Sequence, residues 1–316
     1  MTTVKNNTRP AVHSALQAVG NTPLVRLNKI VPEGSAEIYV KLELCNPTGS
    51  YKDRMALAMI EEAEKRGDLR PGMTVLEYTG GSTGSSLAFV CAVKGYPFQV
   101  ISSDAFSQEK LRTMEAFGAQ LEIEPSEGGL ITPDLIPRMI ERARRLAAQP
   151  HMYWTDQFNN HDSLLGYNEI GRELLVQLPR IDACCGMVGT AGMLMGISSV
   201  LKEARPETIV VALEPSTSAV LSGAEAGKHR VEGTGAGFIP PLFDYDAVDG
   251  IRPIVEERGR ETARRLAREE GIFAGISSGC NVAGALDIAA ELGPGHTVVT
   301  VAVDSGLKYL AGDLFI

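Results

Sequence analysis

The repeating order of short apolar strands and amphipathic helices constrains the fold more than any other feature of the chain. Between positions 74 and 148 the pattern predicts strands at 74–78, 98–102 and 120–123, each followed by a helix, at 85–93, 108–117 and 133–148. The alternation resumes with strands at 183–188, 209–213 and 297–303 and helices at 191–203, 259–270 and 280–292. Such a series is typical of mostly parallel, doubly wound sheets covered by helices on both faces. The sequence therefore predicts an α/β fold.

The length of the chain predicts two domains. At 316 residues it is too long for one typical hydrophobic core. We assign positions 44–156 to a smaller α/β domain, and positions 11–43 together with 157–316 to a larger α/β domain. Positions 1–10 are polar and are predicted to form a flexible tail. No segment has the apolar length of a signal peptide core or of a membrane span, so we expect a cytoplasmic protein that has no membrane partner.

Charge and cysteine content narrow the class of partner. The net charge of −9 at pH 7 argues against nucleic acid and anionic membranes, and favours a small metabolite. The five cysteines lack CxxC spacing, and the adjacent Cys184 and Cys185 should face opposite sides of one strand. We therefore expect reduced, mostly buried thiols. The five histidines are scattered, so no metal site is predicted.

Lys52 stands where a turn rich in Gly, Pro and Ser leads into a helix predicted at 53–66. The positive end of the helix dipole lowers the cost of losing the lysine proton, which suits an amine that forms a Schiff base. A solvated surface lysine is the alternative interpretation of this residue taken alone.

Loops that follow strands are the candidate ligand sites of a parallel sheet. The loop at 79–84, Thr-Gly-Gly-Ser-Thr-Gly, can direct backbone N–H groups and hydroxyls at a carboxylate. The loop at 189–192, Gly-Thr-Ala-Gly, can hold a phosphate at a helix start. It lacks the G-x-G-x-x-G and G-K-[ST] spacings, which disfavours nicotinamide cofactors and nucleoside triphosphates. Ser277 offers a further hydroxyl before the last helix. Ordinary capped turns remain possible for the loop at 79–84 and for Ser277.

The ordered set of these four loops resembles the cysteine synthase and cystathionine β-synthase family, the fold-type II enzymes that depend on pyridoxal phosphate. The likeness extends over most of the chain. It includes the segments 20–24, 46–54, 77–84, 157–158, 189–192, 214–215, 235–240, 276–279 and 304–306. The resemblance implies a tryptophan synthase β-like architecture, with pyridoxal 5′-phosphate in the cleft between the two domains and a homodimeric assembly.

The resemblance also implies roles for individual residues. Lys52 would hold the cofactor as a Schiff base and take the substrate α-proton, while Ser277 would pair with the pyridine nitrogen. The phosphate would be held by the loop that comprises Gly189, Thr190, Ala191, Gly192 and Met193. The substrate carboxylate or the cofactor 3′-oxygen would be met by Thr79, Gly80, Ser82, Thr83 and Gln157, with Ser82 assigned to the cofactor as well.

The activity implied is β-replacement: an activated serine such as O-acetylserine loses its leaving group to give an aminoacrylate, which a small nucleophile attacks to form cysteine or a related β-substituted alanine. Alternatives are elimination alone, as in a cysteine desulfhydrase or a serine/threonine deaminase, synthesis of a nonproteinogenic amino acid, and a catalytically weak binding protein. Two departures leave the leaving group and nucleophile open. Where the family has Thr-Ser-Gly-Asn-Thr, this chain has Gly80 in place of the serine and Ser82 in place of the asparagine. Where the family has Gly-Gly-Thr at the end of the phosphate loop, this chain has Met193 in place of the threonine.

Overall fold

The computed structural model describes residues 11–129 and 134–316. The predicted tail at 1–10 and the first position of the helix predicted at 133–148 therefore lie outside the described residues. Within the described ranges, ten strands form two sheets, and eight α-helices cover them.

The smaller sheet has four parallel strands in the order β5-β4-β3-β6. Its strands are β3 (Thr74–Tyr78), β4 (Phe98–Ser103), β5 (Gln120–Glu124) and β6 (Met152–Trp154). The larger sheet has six strands in the order β1-β2-β10-β7-β8-β9, and only the pair β1 and β2 is antiparallel. Its strands are β1 (Leu24–Arg26), β2 (Glu37–Leu42), β7 (Ala183–Met187), β8 (Ile209–Pro215), β9 (Gly250–Ile254) and β10 (Thr297–Ala302). The predicted α/β fold with mostly parallel sheets is confirmed, whereas the domain boundaries stay a prediction.

Seven of the eight α-helices in the described residues correspond to predicted helices, and one was not predicted. They are α1 (Lys52–Arg66), α2 (Ser82–Lys94), α3 (Gln108–Ala116), α4 (Leu135–Ala147), α5 (Asp162–Gln177), α6 (Gly192–Ala204), α7 (Glu256–Arg265) and α8 (Ile276–Leu292), and a π-helical turn (Leu266–Glu270) extends α7. Before α1, a 3-10 turn forms at Ala15–Ala18. Helices α2 and α8 begin three and four residues earlier than predicted, because burial outweighs the low helix propensity of Gly and Ser.

Helix α5 and strands β6 and β9 were not predicted. Helix α5 contains Gly166 and Gly171, which weaken the helical signal in the sequence. Both glycines serve close packing: a Cβ on Gly166 would lie 2.3 Å from the carbonyl oxygen of Arg54 in α1, and one on Gly171 would lie 2.8 Å from Val200 in α6. Helix α5 is thus wedged between α1 and α6, and this tertiary packing stabilises it more than local propensity does.

Both faces of the larger sheet are buried. Cys184 and Cys185 are adjacent on β7, yet each belongs to a different core cluster, one packed against α1, α2 and α5 and the other against α8. This alternation confirms that the two side chains face opposite ways. Within residues 11–129 and 134–316 no cysteine forms a disulfide; Cys91, Cys184, Cys185 and Cys280 are buried, and Cys45 is exposed.

A buried ion cluster anchors α1. Arg54 is 4% exposed and makes paired hydrogen bonds to the carboxylates of Glu43, at 2.7 Å each, and of Glu173, at 2.7 and 2.9 Å. Lys41 contacts Glu173 at 2.6 Å from the other side. Because Glu43 follows β2 and Glu173 belongs to α5, the cluster fixes the helix that begins with Lys52 against two other elements.

Candidate active site

The turn that leads to Lys52, the lysine turn (residues 46–52), is joined to the end of β10. The amide of Tyr51 donates a hydrogen bond to the carbonyl of Val303 at 2.8 Å, and the amide of Ser305 donates to the carbonyl of Gly49 at 3.0 Å. Because β10 is a central strand of the larger sheet, these bonds place Lys52 at the carboxyl edge of that sheet.

The start of α8 is joined to the same end of β10. The amide of Gly275 donates to the carbonyl of Asp304 at 3.2 Å, and the amide of Val303 donates to Ser278 Oγ at 3.0 Å. Ser277 lies between these contacts, is 4% exposed and stands within α8 instead of capping it, since the N-cap is Gly275. The segment 303–305 therefore has the lysine turn on one side and Ser277 on the other.

Lys52 is the first residue of α1 and is only 6% exposed, so it is not a solvated surface lysine. Its Nζ lies 4.8 Å from the ring centroid of Tyr51 and 6.0 Å from that of Tyr167. Burial lowers the pKa of Lys52 to about 8, opposed by the carboxylate of Glu77. An amine with this pKa is partly neutral near physiological pH, as a nucleophile or a base requires.

Glu77 is a buried residue that belongs to the resemblance but had no predicted role. Its carboxylate accepts hydrogen bonds from Thr155 Oγ1 at 2.7 Å, from the Gln157 amide at 3.0 Å and from the Tyr78 amide at 2.9 Å. Burial raises the pKa of Glu77 to about 7, and these hydrogen bonds act in the opposite direction. Glu77 thereby fixes the position of Gln157 relative to the end of β3.

The predicted carboxylate loop and Gln157 are in contact. Thr83 Oγ1 donates to Gln157 Oε1 at 2.7 Å, and both side chains are buried. Thr79 Oγ1 accepts a hydrogen bond from the amide of Gly81 at 3.1 Å. Gly81 is the N-cap of α2 and provides no side-chain cap, so the first N–H groups of α2 remain available to an anion.

An aromatic ring that the sequence did not reveal covers this loop. A Cβ on Gly80 would lie 2.0 Å from Cγ of Phe106, a residue of the turn between β4 and α3. The backbone of Gly80 is outside the left-handed region, so the ring, and not the backbone conformation, is what requires glycine here. The replacement of the family's serine by Gly80 therefore depends on the position of the Phe106 ring.

A second lysine, Lys308, contacts Ser82, the other position at which this loop departs from the family pattern. Lys308 lies in the 3-10 helix Gly306–Tyr309, and its Nζ donates to Ser82 Oγ at 3.3 Å. Burial lowers the pKa of Lys308, whereas the carboxylates of Asp304 and Asp53 raise it. Lys308 thus brings positive charge to the loop predicted to bind a carboxylate. No motif indicated this role.

The predicted phosphate loop has a backbone cradle at the start of α6. A Cβ on Gly189 would lie 2.1 Å from the carbonyl oxygen of Gly233, so only glycine fits there. Ala191 is the N-cap, with a φ of 70° and no side-chain cap. Thr190 is 7% exposed beside these groups. The first N–H groups of α6 thus lack partners within the helix and can converge on an anion.

Comparison with known proteins agrees with this arrangement. A profile of the family described as "Pyridoxal-phosphate dependent enzyme" matches residues 15–304. The chain belongs to this family. It is 42% identical over 307 residues to a cysteine synthase of Staphylococcus aureus (strain N315), covering 96% of this chain and 97% of the relative. It is 38% identical over 309 residues to an O-ureido-L-serine synthase of Streptomyces lavendulae, covering 97% of this chain and 93% of the relative.

Solved structures give the same family. A cysteine synthase of Entamoeba histolytica superposes with a TM-score of 0.92 at 32% identity, over 100% of this chain and 94% of that chain. The predicted membership of the cysteine synthase group of fold-type II enzymes is confirmed, and so is pyridoxal phosphate as the cofactor.

The site fits this cofactor. Lys52 would offer its buried amine to the aldehyde, the cradle at the start of α6 would hold the phosphate, and Ser277 would offer its hydroxyl to the pyridine nitrogen. When bound, pyridoxal phosphate supplies an electron sink for negative charge at the substrate α-carbon. The side chain of Met193 is buried, and its Cε would lie 3.0 Å from a Cβ on Gly186 of β7, so a part for residue 193 in holding the phosphate stays a prediction.

Residues 11–129 and 134–316 contain no group of three or more His, Cys, Asp or Glu side chains that could hold a metal ion. In the same ranges, no helix combines the length and the apolar character that crossing a membrane requires.

Proposed function

We propose that the protein catalyses pyridoxal phosphate-dependent β-replacement of an activated serine, such as O-acetylserine, to give cysteine or a related β-substituted alanine. One observation carries the proposal: the turn that ends at Lys52 and the start of the helix that contains Ser277 are both hydrogen-bonded to residues 303–305, at one strand end. Two relatives, a cysteine synthase and an O-ureido-L-serine synthase, support it.

Lys52 and Ser277 have complementary tasks in this reaction. With a pKa near 8, the amine of Lys52 can take the α-proton of the substrate without a large energetic penalty. Ser277 offers a neutral hydroxyl where other pyridoxal phosphate folds use a carboxylate, so it does not hold a proton on the ring nitrogen. Less charge is then withdrawn into the ring, and prompt loss of a β-leaving group is favoured.

The loop at 79–84 would orient the substrate. The N–H groups at the start of α2 and the hydroxyl of Thr79 can bind the α-carboxylate, while Thr83 and Gln157 hold the loop through their mutual hydrogen bond. Lys308 strengthens anion binding through its contact with Ser82. A bound carboxylate fixes the direction of the Cα–H bond relative to Lys52, which is what proton transfer requires.

The test combines product analysis with chemical trapping. Holoenzyme is incubated with O-acetylserine and sulfide, and cysteine is measured; Lys52→Ala should abolish its formation. Pyruvate and ammonia formed at the same rate without sulfide would instead indicate elimination alone. Borohydride reduction followed by peptide mapping should place a pyridoxyl group on Lys52. A holoenzyme without that adduct would leave only the binding-protein alternative.

We also propose that the enzyme is a cytoplasmic homodimer, as the family resemblance implies. Sedimentation velocity of the holoenzyme tests the assembly: a species of twice the chain mass supports it, and a monomer at micromolar concentration contradicts it.

A further inference from the structure

A buried hydroxyl without a partner lies next to the phosphate loop. Ser163 is the second residue of α5 and is 1% exposed, and its Oγ has no hydrogen-bond partner within the described part of the chain. A serine in a helix can bond back to a carbonyl of the preceding turn, but Ser163 Oγ makes no such bond. Burying a hydroxyl without a hydrogen-bond partner costs free energy, so we expect Ser163 Oγ to bind a group outside the protein chain.

The position of Ser163 indicates what that partner is. A Cβ on Gly192, the first residue of α6, would lie 3.2 Å from Ser163 Oγ. Helices α5 and α6 are closely apposed here, since a Cβ on Gly196 would lie 2.7 Å from Cβ of Tyr167. The hydroxyl of Ser163 therefore lies beside the helix start that forms the phosphate cradle.

The phosphate loop also lacks a ligand. In the family pattern the loop ends in a threonine, whereas this chain has Met193, whose side chain is directed into the core. We propose that Ser163 supplies the missing hydroxyl and donates a hydrogen bond to the cofactor phosphate. The inference rests on the cofactor of the proposed function and does not depend on which substrate reacts.

The surrounding charges are compatible with a phosphate. The nearest carboxylate along the chain, Asp162, is engaged in paired hydrogen bonds with Arg66 at 2.9 and 2.7 Å. The positive end of the α5 dipole also favours an anion at Ser163. Tyr167 has an unpartnered hydroxyl too, but burial, and to a smaller extent Tyr51, Glu43 and Asp53, raise its pKa, so its surroundings disfavour a negative charge.

The test measures cofactor binding instead of turnover. Ser163→Ala holoenzyme should release pyridoxal phosphate to a trap with a roughly tenfold to hundredfold larger dissociation constant, as expected for one lost hydrogen bond to a charged group. Its affinity for pyridoxal, which has no phosphate, should not change. The ³¹P resonance of the bound cofactor should shift in Ser163→Ala and keep its wild-type position in Ser163→Thr.

Two further variants make the test selective. Met193→Thr in the Ser163→Ala background should restore part of the affinity by returning a hydroxyl to the loop. Ser198→Ala is the matched control, because Ser198 is a buried serine of α6 that already bonds the carbonyl of Ala247; it should leave affinity and the ³¹P resonance unchanged. Unchanged affinity and resonance in Ser163→Ala would overturn the inference and assign the hydroxyl to a structural water. Failure of the proposed reaction would alter neither readout.

Discussion

The coupling between Gly80 and Phe106 can be tested by a double-mutant cycle. Gly80→Ser would bring a Cβ to 2.0 Å from Cγ and to 2.2 and 2.3 Å from the Cδ atoms of Phe106. Real Cβ contacts are essentially never shorter than 3.0 Å, so the ring must move by about 1 Å or more. Overpacking of this kind costs about 1–3 kcal/mol of unfolding free energy.

Removal of the ring should relieve that clash. Phe106→Ala alone should cost about 1–3 kcal/mol, because the ring is only partly buried against the cluster that includes Tyr78 and Trp154. In Gly80→Ser/Phe106→Ala the two losses should not add, and the coupling energy should reach about 1 kcal/mol or more. The new hydroxyl should also lower the KM for O-acetylserine relative to Phe106→Ala.

The assay is urea unfolding of all four holoenzymes, followed by the fluorescence of Trp154. This is the one tryptophan of the chain, and it lies in the same cluster as Phe106. Losses that add within about 0.5 kcal/mol would show that the two sites are independent and would refute the argument.

Three other perturbations test the site and its support. The rate at which apoenzyme forms a Schiff base with added pyridoxal phosphate should rise with pH and level off above about 8, because burial lowers the pKa of Lys52 and only the neutral amine reacts; a rate that still climbs at pH 10 would contradict this. Arg54→Met should lower the unfolding free energy by about 3–5 kcal/mol, since it leaves the buried carboxylate of Glu43 without its cation and takes one of two cations from Glu173. Arg172→Ala, at an exposed pair, should cost less than about 1 kcal/mol, and similar losses for both would argue against the buried cluster. Lys308→Met should raise the KM for O-acetylserine roughly tenfold while cofactor content stays constant, because the charge beside Ser82 is lost; an unchanged KM would remove Lys308 from the substrate site.

The sequence predicted where the loops of the site lie along the backbone better than it predicted the contacts of the side chains. The order of strands, loops and helices was enough to predict that four features lie near strand ends: Lys52, the loop at 79–84, the loop at 189–192 and Ser277. In the structure these features lie at the ends of β2, β3, β7 and β10 or at the helix starts beside them. The exact helix starts were missed at Ser82 and Ile276, because glycine and serine are weak helix formers and burial decides there.

The sequence by itself determined the fold class, because strand and helix periods are local properties of the chain. The motifs of its loops carried the resemblance to the family, and through it they predict which residues hold the cofactor. Only the tertiary structure revealed α5, Phe106, Lys308 and Ser163. Lys308 is 226 positions from Ser82, and Ser163 acquires its meaning from a glycine on a different helix. Such contacts depend on the distance between packed helices and loops, which local sequence patterns do not predict.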